Sequence, residues 1–437
     1  MQWPAASGRL GGAALLVVLA VLLAPTHQGI VLWVGNGVVA ALAILDLALA
    51  PSPRRVRVVR ELPGIVALGG QGTVTWRVGN PTGRRLHVAV ADQLAPSLRP
   101  DRRRVRLTLP PRGTVAATSG VRPTRRGRFE MQELTVRVYG PIGLMGRQRR
   151  RVEPGVLRVY PPFKSRDEAE LRIDRARILE IGLRSARGLG GGTEFDQLRE
   201  YSVDDEFRRM DWSATARAGK PIVRTYRAER NQTVLVLLDC GRVMAGRVEN
   251  VPRVEHAMDA VMMLTYLATR LGDKAGLVAF GSRVDAVVPP SHNGNQLARV
   301  TEAMYAIEPE LAESDYRGAV TETLSRFRRR ALLVVLTDLH EQAVTETLLP
   351  VLPLVLRSHV IIVGAVRDPD VERWARSVPT DASAAYRKAA AVKALDERAR
   401  LAARLRGAGA TVVDAPPGTL APRLADAYLQ VKATGRL

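Results

Sequence analysis

"VLVLLDCGRVM", residues 234–244, is an unbroken apolar run that ends in a carboxylate, a thiol and a glycine. Val and Leu without alternation suit a strand buried on both faces, as in a parallel sheet. Runs of the same kind recur at 275–280 ("AGLVAF"), 331–338 ("ALLVVLTD"), 359–366 ("HVIIVGAV") and 411–415 ("TVVDA"), with segments of helical period between them. Strands alternating with helices predict an open, mostly parallel, doubly wound α/β sheet covered on both faces. "FGSRVDAVV" (280–288) departs from this rule, because a turn at Gly281 and Ser282 leads straight into another strand. That pattern predicts an antiparallel edge hairpin.

Upstream the period changes to two. "TVTWRV" (73–78), "LHVAVA" (86–91), "RVRLTL" (104–109), "LTVRVY" (134–139) and "VLRVY" (156–160) are separated by the turn formers "GNPTG", "PPRG" and "YGPIG". This spacing predicts a small all-β sandwich of immunoglobulin-like type. Two apolar stretches precede it, Leu10 to Ala24 and Ile30 to Ala50, the second long enough for about 30 Å of hydrocarbon. The first reads either as a short spanning helix in a hairpin closed by "PTHQG" or as the apolar core of a signal peptide behind Arg9. Arg54, Arg55, Arg57 and Arg60 follow the second stretch and predict that the bulk of the chain is cytoplasmic, on the inner face of the plasma membrane. Asp46, near that inner end, is expected to snorkel toward the headgroups. The expected chain is multidomain: a transmembrane hairpin at 1–53, a β-sandwich at 54–163, a connector at 164–230 and an α/β domain at 231–437.

Of the 437 residues, 65 are Lys or Arg and 43 Asp or Glu, a net charge of +22. That charge suits nucleic acid, an anionic membrane or an acidic partner. Aromatic content of 5% and the lack of a recognisable nucleic-acid module argue against a membrane-tethered nucleic-acid binder. The one cysteine, Cys240, excludes an internal disulfide and a cysteine-clustered zinc site. It stands near a helix start with no histidine close in sequence to act as its base, so packing is its expected role. The six histidines are scattered, and no Gly-x-x-x-x-Gly-Lys-Ser/Thr loop is present. Gly190, Gly191 and Gly192 read as a hinge.

Ligands of open α/β sheets gather at the carboxyl ends of the strands. Asp239 and Asp338 stand there, either as ligands of a metal-dependent hydrolase or as caps of the following helices. The sheet with its antiparallel edge resembles a von Willebrand factor A domain. That resemblance implies Mg²⁺ held by Asp-x-Ser-x-Ser, a threonine and a second aspartate. Here Gly241 and Val243 occupy the two hydroxyl positions, so Asp239 and Asp338, even helped by Ser314, Asp315 or Thr337, make a poor octahedral site. The expectation is a degenerate metal-adhesion site with no cofactor.

Between the two halves lies "EFDQLREYSVDDEFRRMDWSATARAGKPIVRTY", residues 194–226. No nucleophile and base pair stands out in it. Trp212 and Phe195 are expected to bury their rings, and Arg199, Arg208 and Arg217 to pair with Asp204, Asp205 and Asp211, locking the connector onto the sheet. In order, Phe195, Leu198, Arg199, Tyr201, Asp204, Asp205, Arg208, Asp211, Trp212, Ala216 and Arg217 resemble the signature of DUF58 proteins. Val203 stands where the family has a glycine, and Met210 replaces its isoleucine. "TRRGRFEM" (124–131) and "YGPIGL" (139–144) resemble the family as well. The resemblance implies a membrane-anchored, non-enzymatic interaction or scaffold protein. It also implies a MoxR-type AAA+ ATPase as partner in assembly or maturation of a complex.

Overall fold

The computed structural model describes residues 3–23, 28–186, 194–203, 205, 207–227 and 231–434, with the side chains of 177–186, 194–196, 209 and 225–227 outside that description. The chain divides into two compact units, Met1–Pro162 and Phe163–Leu437.

The first unit opens with strand β1 (Trp3–Ala6) and helices α1 (Gly8–Leu23) and α2 (Gln28–Leu49), which pack against each other. Among the described residues α2 is the one helix long and apolar enough to cross a bilayer, with 22 residues and a mean hydropathy of 2.1. Then follow β2 (Arg57–Glu61), β3 (Ile65–Ala67), β4 (Gly72–Gly79), β5 (Leu86–Asp92), β6 (Arg104–Leu109), β7 (Thr114–Val121), β8 (Gly127–Tyr139) and β9 (Met145–Tyr160). One sheet has the order β1-β9-β8-β5-β6, with β3 parallel to β9, and the other the order β2-β4-β7. The period-two pattern points Val74, Trp76 and Val78 of one sheet and Val88, Val90, Val136 and Val138 of the other into a single core.

Two charged residues sit where the sequence did not lead us to expect them. Arg60 does not join the membrane-flanking cluster: its side chain is buried in the sandwich, 2.6 Å from Asp92. Asp92 also accepts the Trp76 indole N–H at 2.7 Å, and Arg60 donates to the carbonyl oxygens of Met131 and Glu153. Asp46 does not snorkel either. It is fully buried and accepts the backbone N–H groups of Ile142 and Met145, each at 2.8 Å. Two preorganised donors of a tight turn replace the water that a snorkelling carboxylate would seek. Gly140 makes this approach possible, since a Cβ there would lie 2.2 Å from Asp46 Oδ1.

The second unit begins with α3 (Arg166–Ala186) and a hairpin of β10 (Glu194–Glu200) and β11 (Ile222–Arg227) around α4 (Trp212–Ala218). Next come β12 (Thr233–Asp239), α5 (Arg242–Ala245), the two-residue strands β13 (Arg247–Val248) and β14 (Val251–Pro252), and α6 (Arg253–Arg270). β15 (Lys274–Phe280), β16 (Val284–Ser291), α7 (Gln296–Met304), α8 (Tyr316–Arg326) and β17 (Leu332–Leu336) follow. A π-helical turn runs into α9 (Leu349–Leu356), and β18 (Val360–Val366), α10 (Pro369–Arg376), α11 (Ala382–Gly407), β19 (Thr411–Ala415) and α12 (Leu420–Ala433) complete the chain.

The sheet order is β16-β15-β12-β17-β18-β19, parallel throughout except for the antiparallel edge strand β16. Val234, Val236 and Leu238 of β12 face one core, with α6, α12 and Ile173 of α3, while Leu235 and Leu237 face the other, with Tyr316 and Val320 of α8. Burial on both faces is why the strands read as continuous apolar runs. The strand order reverses between β12 and β17, so the crevice of the sheet opens beside Asp239 and Asp338.

Candidate functional site

Asp239 ends β12 with no exposed surface. Its Oδ1 accepts the Gly241 N–H at 2.8 Å and the Ser314 hydroxyl at 2.5 Å. Its Oδ2 lies 2.6 Å from the Tyr316 hydroxyl and 2.7 Å from Thr337 Oγ1, and those two oxygens are 2.6 Å apart. Three oxygens thus share two hydroxyl protons. A carboxylate offers about four lone-pair sites, and protein groups occupy the space around all of them. Gly241 is needed for this closure, because a Cβ there would stand 2.0 Å from Ser314 Oγ. Tyr316 is held by an edge-on contact with Phe280, centroids 5.3 Å apart.

Asp338, the other expected carboxylate, is held by arginines. Arg398 of α11 donates to Asp338 at 2.6 Å, to both oxygens of Asp414 and to the carbonyl of Val366. Arg253, at the start of α6, lies 3.3 Å from the other oxygen of Asp338. The arginines tie α6, α11 and β19 to the end of the sheet. Asp315 caps α8 through the Gly318 N–H at 2.8 Å. Asp239 and Asp338 therefore stand near one another in the fold but do not share a cation site. One is enclosed by neutral donors, the other is beside two guanidinium groups that would repel a dication, and Gly241 and Val243 supply no side-chain oxygen. These residues do not fit Mg²⁺. Cys240 is fully buried in the core, a packing position.

A cavity of about 650 Å³ opens beside Asp338, lined by Arg253, His340, Arg367, Arg398 and Leu401 among others. Tyr316, Arg253, Arg398 and Asp414 escaped the sequence reading, since nothing in a single sequence marks a tyrosine 77 positions from Asp239 as its partner.

Burial and the charge of Asp239 push the Tyr316 phenol well above its ordinary value, and burial with Asp273 does the same to Tyr428. Both stay protonated at pH values where an unfolded tyrosine has ionised. Their contribution is complete below about pH 10 and is lost as the pH rises toward their folded values. Denaturant melts above pH 10 are expected to show falling stability, with a shallower slope for Tyr316→Phe than for the unaltered chain.

The β10–β11 hairpin holds the remaining expected site residues. Arg199 pairs with Asp205 at 2.6 Å, and Asp205 also accepts the Ser202 N–H. Asp211 caps α4 by accepting the Ala214 N–H at 3.0 Å, and its ion pair is with Arg224 at 2.8 Å, not with Arg208 or Arg217. Those two contacts, the Ala214 N–H first, hold the Asp211 carboxyl below the usual range. Arg217 instead donates to the Ser213 carbonyl, and Arg208 is exposed. Asp204 and the side chain of Phe195 lie outside the described residues.

Trp212 overturns the expectation of a buried anchor. It is 61% exposed, in edge-on contact with Phe207, which is 65% exposed. Helix α4 buries Ala214 instead. Residues two positions apart on a helix point about 200° apart, so turning Ala214 inward turns Trp212 outward. Leu198, Tyr201 and Val203 are exposed on the same hairpin and its loop. The hairpin and its loop thus expose several apolar side chains, with Trp212 and Phe207 in contact with each other.

Over residues 197–381 the chain matches the DUF58 family. The family model is described as a protein of unknown function. It begins in β10 and ends at Asp381, the cap of α11, so it spans the hairpin, the sheet crevice and Asp239. Similar relatives are the uncharacterized protein Rv1480 of Mycobacterium tuberculosis and the uncharacterized protein Mb1516 of Mycobacterium bovis, each 28% identical over 154 residues. Those matches cover 34% of this chain and 48% of each relative, so the chain spans about half the length of the curated relatives it matches. Among solved structures, the CARDB domain of the PF1109 protein from Pyrococcus furiosus is similar at 13% identity, over 24% of this chain and 86% of that domain, with a TM-score of 0.17.

Proposed function

We propose that this protein is a non-enzymatic, membrane-anchored interaction protein whose DUF58 segment presents the β10–β11 hairpin to a protein partner. The observation that carries the reading is the exposed aromatic pair Trp212 and Phe207, on a hairpin whose Leu198, Tyr201 and Val203 are exposed as well. Large aromatic side chains in contact with each other and with water are the groups that become hot spots when a partner covers them. The family resemblance supplies the partner class, a MoxR-type AAA+ ATPase acting in assembly or maturation of a complex. In this reading the α/β unit is a von Willebrand A-like domain that works without a metal. The enclosure of Asp239 supports that part and weighs against a strand-end hydrolase.

The anchor is α2, and exposed Arg54, Arg55 and Arg57 at its end favour a cytosolic bulk at the plasma membrane. A reporter fused after Leu437 is expected to be active only in its cytosolic form.

Trp212→Ala and Phe207→Ala test the docking surface. Each is expected to weaken capture of a MoxR-type ATPase from the same genome at least about tenfold, as loss of a hot spot does. The melting temperature should move by no more than about 2 °C, as for a surface change. Unaltered capture by both variants would remove the interface.

A further inference from the structure

Strand β9 carries four arginines in five residues, Arg147, Arg149, Arg150 and Arg151, around Gln148. The register sorts them by face. Arg147, Arg149 and Arg151 lie opposite Val138, Val136 and Leu134 of β8, all core residues. Residues directly opposite across a ladder share a face, so these three guanidinium groups line the core side of the sheet in one row. Successive members are about 7 Å apart. Arg150, opposite Thr135, is on the outer face.

At this end of β9 the core side is approached by α2 and the segment after it. Helix α2 packs on β9, and Arg151 donates to the carbonyl oxygens of Pro53 and Arg54 at 2.8 and 3.1 Å. The row is half-buried, and among the described residues no carboxylate forms an ion pair with any of its members. Burial, then the charge of Arg149, pull the Arg151 guanidinium below its ordinary value, with Glu153 offsetting this in part. Like charges held together in partial burial repel and are poorly hydrated, so an anion placed among them would be strongly bound.

The position of the row says which anion. Asp46, in the last turn of α2, holds the Met145 N–H, and Arg147 lies two residues further along the strand. The headgroup layer of one leaflet is about 5–7 Å deep. Arg147, about 7 Å along the strand from Met145, therefore falls at the level of the lipid phosphates when α2 crosses the bilayer, and Arg149, about 7 Å further, faces the same layer from its aqueous side, where its long side chain can reach back to it. Trp3, 59% exposed and opposite Gln148 on β1, adds an aromatic at the same level.

We propose that Arg147 and Arg149 form a binding site for the phosphate headgroup of an anionic phospholipid beside α2, which sets how the sandwich sits on the bilayer. This rests on the membrane-anchored reading above. The test is native mass spectrometry of the full chain in mild detergent, titrated with phosphatidylglycerol and with phosphatidylcholine. The unaltered chain is expected to retain phosphatidylglycerol preferentially. Arg147→Gln combined with Arg149→Gln should weaken that retention roughly 25-fold, about fivefold per arginine near an anionic surface. Arg150→Gln, on the opposite face, should leave it unaltered, and an equal loss there would overturn the row as the site. Displacement of the lipid by millimolar inorganic phosphate would also overturn it, by making the site one for free phosphate. A chain that pellets with salt-washed membranes yet shows no preference between the lipids overturns this inference alone. A chain that stays in the supernatant overturns the anchor, and the inference with it.

Discussion

Asp239→Ala is expected to lower the unfolding free energy of the α/β unit by about 4 kcal/mol. The substitution removes the acceptor shared by the Gly241 N–H and the Ser314, Tyr316 and Thr337 hydroxyls, all close to a carboxylate with no exposed surface. Tyr316 and Thr337, 2.6 Å apart, can still bond each other. That leaves three donors without an acceptor, the buried Gly241 N–H, the half-buried Ser314 hydroxyl and the second proton of the Tyr316–Thr337 pair, at about 1–3 kcal/mol each where burial is complete. Tyr316→Phe removes one hydroxyl and leaves Thr337 to serve the same oxygen, so its cost should be about 1 kcal/mol. Denaturant titration of the three proteins, with and without millimolar Mg²⁺, checks both the size and the cause. A site built for the metal behaves differently: Mg²⁺ would stabilise the unaltered chain and not Asp239→Ala, and the cost of the mutation without Mg²⁺ would be small.

Asp92→Ala is expected to cost the sandwich about 3–5 kcal/mol, the range for removing one partner of a buried ion pair. Arg60 would keep its charge with a side chain 1% exposed. Its other partners are the neutral carbonyls of Met131 and Glu153, which do not compensate that charge. The Trp76 indole N–H would lose its acceptor as well. Replacing both members of the pair, Arg60→Met with Asp92→Leu, should recover more than half of the loss, because no charge is left buried. A double-mutant cycle on thermal or denaturant unfolding of the full chain reads this coupling. Additive costs would mean that Arg60 reaches water when its partner is gone.

The two aspartates differ in how far their local sequence announced them. Asp239 follows an unbroken apolar strand, and its place at the carboxyl end of a parallel sheet followed from that pattern. Asp92 follows an alternating strand, where a polar residue ordinarily faces solvent. Only the pairing of β2 with β4, which sets Arg60 opposite Trp76, brings the guanidinium to it. Asp46 was visible as an acid in an apolar helix, but the turn at 140–145 that binds it is nearly a hundred residues away.

The α/β alternation, the edge hairpin at Gly281, the period-two segments upstream and the apolar length of α2 were all determined by the sequence alone. Each rests on short-range periodicity, which follows from strand and helix geometry and from which faces must be buried. That Gly241 and Val243 offer no side-chain oxygen beside Asp239 is likewise read directly from the sequence. Tertiary structure alone decided which groups surround the Asp239 carboxylate: Ser314 with the Gly241 N–H on one oxygen, and Tyr316 with Thr337 on the other. It also decided that Trp212 faces solvent, because the inward direction of a seven-residue helix depends on which of its residues meets β11. And it placed Arg147, Arg149 and Arg151 in one row on the core side of β9, since cross-strand register, and not the run of arginines itself, determines the face each one takes.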